Sequence, residues 1–216
     1  MRRALPLVFL LLAACAGPRA ARLASVPRDA FGDRLVERAE TWLGEDGPFV
    51  VGDARYGADC SGFVQAVFAA EGVELRRLAG RAAPRETSGA AAIHRAARDY
   101  GVVFGGGGEW PRPGDLVFWS GTYDRDGRGD DRFTHVGLVQ YVADGGTVVF
   151  IHRGSKGVVR GAMNLARPDE KAEGDLLLNS ILRAKKGARP SAFAGELFAG
   201  YGRIDPRKVP RDLARR

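Results

Sequence analysis

Cysteine, histidine and methionine are scarce in this chain, whose 216 residues include 2 Cys, 3 His and 2 Met. Cys15 and Cys60 are too few to build the disulfide framework of a small secreted scaffold. Any imidazole chemistry must come from His94, His135 or His152. No apolar run reaches the ~20 residues that span a bilayer. The run from Ala4 to Ala14 is far shorter. No internal repeat is present, so a solenoid or propeller is excluded.

What the chain does have is a core-forming share of apolar residues, 45%, and 30 glycines. That excludes global disorder and favours one domain rich in turns, with tails, over a plain helical bundle. The basic start Met1-Arg2-Arg3, the apolar run and the small residues Ala13-Ala14 read as a secretory signal over residues 1–14. Leu12-Ala13-Ala14-Cys15 resembles a bacterial lipobox, which implies cleavage before Cys15 and lipidation of its thiol. Acyl chains would then hold the protein to a membrane. Ala16 follows, not the Asp of inner-membrane retention, so an outer-membrane address facing the periplasm is expected. Lipidation of Cys15 leaves Cys60 with no intramolecular disulfide partner. A lone thiol in an oxidising envelope is a liability unless it is used.

Charge is lopsided: 33 Lys and Arg against 26 Asp and Glu, a net +7. Such a balance suits lipid head groups, nucleic acid or a carboxylate-rich wall polymer. Export removes nucleic acid as a partner. A membrane contact through the lipid and an anionic wall polymer remain.

Residues 15–29 read as a tether and 30–204 as the domain, with 205–216 expected to be a basic disordered tail. Phe31, Leu35, Ala39 and Trp42 share a helical face that ends at Gly44. A loop is expected from Glu45 to Ala58, then a helix from about Cys60 to Gly72, then an alanine-rich helix over Ser88–Asp99. Period-two segments follow: Leu116–Trp119, His135–Val142, Thr147–His152, Gly157–Arg160, Asn179–Arg183 and Tyr201–Ile204. Helices followed by strands predict an α+β fold with an antiparallel sheet.

Asp59-Cys60-Ser61-Gly62 opens the second helix. A cysteine there meets the helix's free N–H groups and its positive dipole end, which favour a thiolate and can donate to an oxyanion. Asp59 can cap this helix, and Gly62 gives room for a substrate. His135 and His152 lie on two strands about equally far from the turn Ala143–Gly146. Whether His152 pairs with His135 or with Gly137, both rings occupy one sheet face, within about 5 to 8 Å. A bulge would disturb that register. The set supplies a nucleophile, Cys60, a base, His135, and an orienter, His152. His94 lies among arginines on a helix and is expected at the surface.

Four segments in order, Asp59–Val64, Arg112–Trp119, His135–Val139 and Ile151–Ser155, resemble the NlpC-type cell-wall cysteine peptidases. The resemblance implies a papain-like fold with N-terminal helices packed on an antiparallel sheet. It implies hydrolysis of peptidoglycan stem peptides, often between γ-D-glutamate and the diamino acid. It also implies Cys60 as nucleophile, His135 as base and His152 as the group orienting it. Ser61, Asp59, Tyr56 and Trp119 are the candidates for substrate or oxyanion contacts. Tyr56 is a stand-in for a family tyrosine whose place Phe49 occupies here, and no cofactor or metal is called for.

Other readings share parts of this pattern. An amidase acting between glycan and peptide, a transglutaminase-like acyl transferase and an idle wall-binding lipoprotein are all compatible with the fold. Zinc held by Cys60, His135 and His152 suits a helix-start cysteine less well. The aspartates Asp124, Asp126, Asp130 and Asp131 lack the order of a calcium loop and read as a solvated rim. A monomer is expected.

Overall fold

The computed structural model describes residues 29–86, 88–123, 132–184 and 190–214. Helix α1, Ala30–Glu40, begins where the Asp29 carboxylate accepts from the Gly32 N–H, and it buries Leu35 and Ala39. Gly44, with φ of 90°, ends its run. Strands β1, Phe49–Val51, and β2, Ala54–Tyr56, form a hairpin turning on Gly52 and Asp53, where a loop was expected. Two three-residue strands are too short to show a period.

Helix α2, Cys60–Ala70, is buried on most sides through Phe63, Val64, Ala66, Val67 and Phe68. Helix α3, Leu75–Ala82, has no counterpart among the expected elements. Its arginines mask a short stripe of Leu75, Leu78 and Ala79, all buried. Helix α4, Gly89–Asp99, is the expected alanine-rich helix, and the Ser88 hydroxyl caps it.

The remaining strands are β3, Gly101–Phe104; β4, Leu116–Trp119; β5, His135–Val142; β6, Thr147–Gly154; and β7, Gly157–Asn164. Two small pairs follow, β8 (Ala172–Glu173) with β9 (Leu176–Leu177), and β10 (Ile181–Arg183) with β11 (Ala192–Phe193). A one-turn helix, α5 (Ala194–Leu197), leads into β12, Phe198–Ile204. The six-stranded sheet has the order β3-β12-β4-β5-β6-β7 and is antiparallel throughout. The α+β architecture is therefore the one expected.

The sheet has two buried faces. Leu116, Phe118, Val136, Leu138 and Ile151 join the helices in the main core. The alternate residues Val117, Trp119, Val139 and Phe150 pack with Met163, Ala194 and Tyr201. In the Arg112–Asp115 turn, the buried Asp115 carboxylate binds the Arg203 guanidinium through Nε and Nη2, at 2.7 and 2.8 Å. Gly114 has φ of 85°, and a Cβ on it would lie 2.4 Å from the Gly32 Cα, so the turn lies flat against α1.

The segment after Ile204 is not a loose tail as far as Ala214. Two 3₁₀ turns, Pro206–Lys208 and Arg211–Leu213, bring Val209 and Leu213 into the main core. The Leu213 carbonyl accepts from the Glu74 N–H, and Ala214 bridges to Val73. Its prolines and arginines hid two apolar anchors. The signal, Cys15, nearly all of the tether and the Asp124–Asp131 loop lie outside the described residues. Among the described residues no helix is long and apolar enough to cross a membrane.

Candidate active site

Asp59 does what its position predicts. Its carboxylate accepts from the Gly62 N–H at 2.8 Å and from the Ser61 hydroxyl at 2.7 Å. Both side chains are thus spent on building the helix start rather than held out toward a substrate. Gly62 serves packing and not substrate access: it is buried, and a Cβ there would stand 2.1 Å from the Gly57 carbonyl oxygen. The β2–α2 connection can cross the helix only because that side chain is missing.

Cys60, at the tip of α2, is half-buried as a residue, with its thiol turned inward. Burial pushes its thiol up to about 11, and the Asp59 charge adds to that rise. The backbone N–H groups of Val136, Ser61 and Cys60 itself pull the other way. Position at a helix start therefore does not by itself give a resting thiolate, contrary to the sequence expectation; desolvation outweighs the amides and the dipole. The amide of Val136 places the sulfur against the peptide that joins His135 to Val136. No local sequence signal marks that contact, because it joins two segments far apart in the chain.

Strand pairing brings the two histidines together. Leu138 pairs with Ile151 and Val139 with Phe150, after which a bulge at Gln140 shifts the register before the turn. Continued one step, the ladder sets Gly137 opposite His152, the second of the two registers compatible with the sequence. His135 pairs across β4 with Trp119. The two imidazoles share a face, and His135 Nε2 lies 2.7 Å from His152 Nδ1. Burial lowers His135 to about 4. Burial, and then the proximity of His135, lowers His152 to about 3. Both rings are neutral at neutral pH.

The body of α2 does not pack on the face that carries the imidazoles. It packs on the alternate residues Val136, Leu138 and Ile151, and only its N-terminal tip reaches the His135 end of β5. Gly137 makes the arrangement possible. A Cβ there would lie 3.2 Å from the His152 Cβ and 3.3 Å from Trp119 Cζ3.

Two candidate contact residues are corrected. Trp119 has no exposed surface, so a substrate cannot touch it. Its Nε1–H donates to the Ala194 carbonyl at 3.0 Å, and its ring backs His135 and His152 at centroid distances of 5.6 and 6.4 Å. Tyr56 is 2% exposed, with its hydroxyl 3.5 Å from Glu74 Oε2 and the Arg76 guanidinium over its ring. An aromatic ring this large buries by default. His94 is not a free surface residue either: half-buried, it stacks on Phe133 at 3.8 Å. Burial first, then Arg98, Arg132 and Arg95, lower its pKa.

Among the described residues no group of three His, Cys, Asp or Glu side chains is arranged to hold a metal ion. What the constellation can do is acyl chemistry: a thiol among three backbone donors, one of them the amide that follows His135, and a hydrogen-bonded pair of neutral imidazoles that includes His135. The model of the NlpC/P60 family matches residues 46–173, a span that contains Cys60, His135 and His152. No curated protein matches the chain at a significant level.

Proposed function

The chain belongs to the NlpC/P60 family, and from that premise we propose that it is an envelope endopeptidase cutting peptidoglycan stem peptides, between γ-D-glutamate and the diamino acid. The family acts on the cell wall as cysteine peptidases, so a cell-wall hydrolase in the general sense is given by membership. The observation that carries the Cys-His-His chemistry is the 2.7 Å His135–His152 contact, together with a helix-start sulfur held by the amide of Val136, the residue next to His135.

In this reading Cys60 is the nucleophile. His135 uses Nδ1 as the base, because Nε2 is engaged with His152. That requires His135 to carry its proton on Nε2 and donate it to Nδ1 of His152, whose own proton is on Nε2. The resting pair is neutral, so the thiol proton moves to His135 as sulfur attacks the carbonyl. The oxyanion takes hydrogen bonds from the backbone donors around the sulfur. The imidazolium then protonates the leaving amine. Water hydrolyses the thioester, its proton taken by His135, and the sulfur is reprotonated as the acid leaves. His152 orients the ring and disperses its charge; an Asp in that place would suit a transglutaminase-like transferase better.

Purified sacculi incubated with the wild type should release peptides with a new amino terminus at the diamino acid, and Cys60→Ala should release none. Fragments cut between sugar and peptide would move the assignment to an amidase. Release by Cys60→Ala would overturn the chemistry. Lipidation of Cys15 is a separate part of the proposal. Metabolic labelling with a fatty-acid analogue should mark the wild type and leave Cys15→Ser unmarked.

A further inference from the structure

His135 stands at the end of a ladder. It is the first residue of β5, its pairing with Trp119 closes the β4–β5 register, and residues 124–131 precede it by a short step. Strand ends fray, whereas a catalytic base must be held to a fraction of an ångström. The two residues just before it are clamped from two elements at once.

Phe133 is the only non-glycine among the described residues with a positive φ, 50°. A bulky side chain in that region is strained and persists only where its surroundings impose it. Its N–H donates to the Ser120 hydroxyl at 3.0 Å, and its carbonyl accepts from the Ser88 hydroxyl at 3.1 Å. The same Ser88 oxygen caps α4, tying the corner to that helix. The Phe133 ring stacks on His94, with planes 16° apart, and meets Phe118 edge-on. Thr134, next in line, is buried and bonded through its hydroxyl to the Thr122 N–H and hydroxyl, at 2.9 and 2.7 Å. Two segments, α4 with its cap and β4 with its exit, therefore converge on one dipeptide.

The geometry points to Phe133 as a positioning residue: its left-handed corner, locked by Ser88, Ser120 and the His94 ring, sets where the His135 imidazole stands relative to Cys60. This rests on His135 being the base. The α4 helix, which carries His94 and is capped by Ser88, thereby acts on a catalytic group it does not touch. A ring is needed for the stack, and the strained φ is the price of turning the chain sharply into β5.

The test uses the full-length protein and a soluble stem-peptide fragment. Wild type and Cys60→Ala are measured first; if Cys60→Ala cleaves as well as wild type, the base–nucleophile reading fails and the positioning question falls with it. With that reading standing, Phe133→Gly is the informative variant. Glycine adopts the positive φ without strain but loses the ring's packing on His94 and Phe118, so the melting temperature should fall, and kcat is read at a temperature where every variant is fully folded. We expect kcat to fall about tenfold or more with KM within about twofold of wild type. The acid limb of the kcat profile should move to higher pH as His135 gains solvent. Phe133→Trp, which restores a stacking ring, should recover most of kcat, and Ser120→Ala should reproduce part of the loss. Wild-type kcat and an unmoved acid limb in Phe133→Gly would overturn the proposal. So would a loss that tracks melting temperature across all three variants.

Discussion

His152 carries no charge at neutral pH because burial and its neighbour hold it near 3, and that neutrality lets its Nδ1 accept from His135. Replacement by Asn keeps a polar group of similar reach, whereas Ala leaves His135 Nε2 unpaired in a buried place. Activity on sacculi should therefore fall about 10²-fold or more in His152→Ala and distinctly less in His152→Asn, measured as initial peptide release. Gly137 is a sharper test of the geometry. A methyl group there meets the Ile151 carbonyl at 3.0 Å as well as the His152 Cβ and the Trp119 ring. Gly137→Ala should displace the imidazole pair, and activity should drop by a larger factor than any accompanying change in the folded fraction explains.

At the scale of single elements, the tip of α2 separates capping from charge. Asp59→Asn preserves the cap, since the two side chains cap about equally well, but removes the carboxylate that raises the thiol. Iodoacetamide should alkylate Cys60 faster in Asp59→Asn than in wild type at pH 8, with the melting temperature nearly unchanged. Asp59→Ala removes the cap as well and should cost about 1 kcal/mol, seen as a melting temperature lowered by about 2–4 °C. Equal alkylation rates in wild type and Asp59→Asn would show that the carboxylate has no hold on the sulfur.

For the molecule as a whole, burial of neutral imidazoles makes stability depend on pH with a definite sign. His135 and His152 sit below their usual 6.5, at about 4 and about 3, so the unfolded chain binds protons that the native state refuses. Stability should fall as pH drops from about 6.5 toward 3. The Cys60 thiol, raised from 9.0 to about 11, has the opposite side: the unfolded chain loses its proton first, so stability falls as pH rises through that window. Thermal melts of wild type and His152→Asn should show a shallower acid slope in the variant, by about one proton's worth. The carboxyl-terminal segment offers a second test. Leu213 is fully buried against the helices, so Leu213→Ala should destabilise the fold by about 2–5 kcal/mol in denaturant titration. A disordered tail would show no change.

Local pattern determined a good deal about this protein. The period of three to four in α1, α2 and α4 and the alternation in β4 to β6 are properties of consecutive residues, and so is the Asp59 cap on a helix that begins at Cys60. Even the shared face of His135 and His152 follows from counting outward from a turn, since either register leaves both rings on one side. Elements of two or three residues, and the arginine-coated α3, are too short or too polar on the surface to announce themselves. The tertiary structure alone decided the rest. It chose the register through the bulge at Gln140, buried Trp119 and Tyr56 where substrate contacts were expected, and drew Leu213 into the core. It also set the protonation of the site, because the pull of a helix start on a thiol acts locally. The burial that outweighs it comes from every chain segment packed around the sulfur.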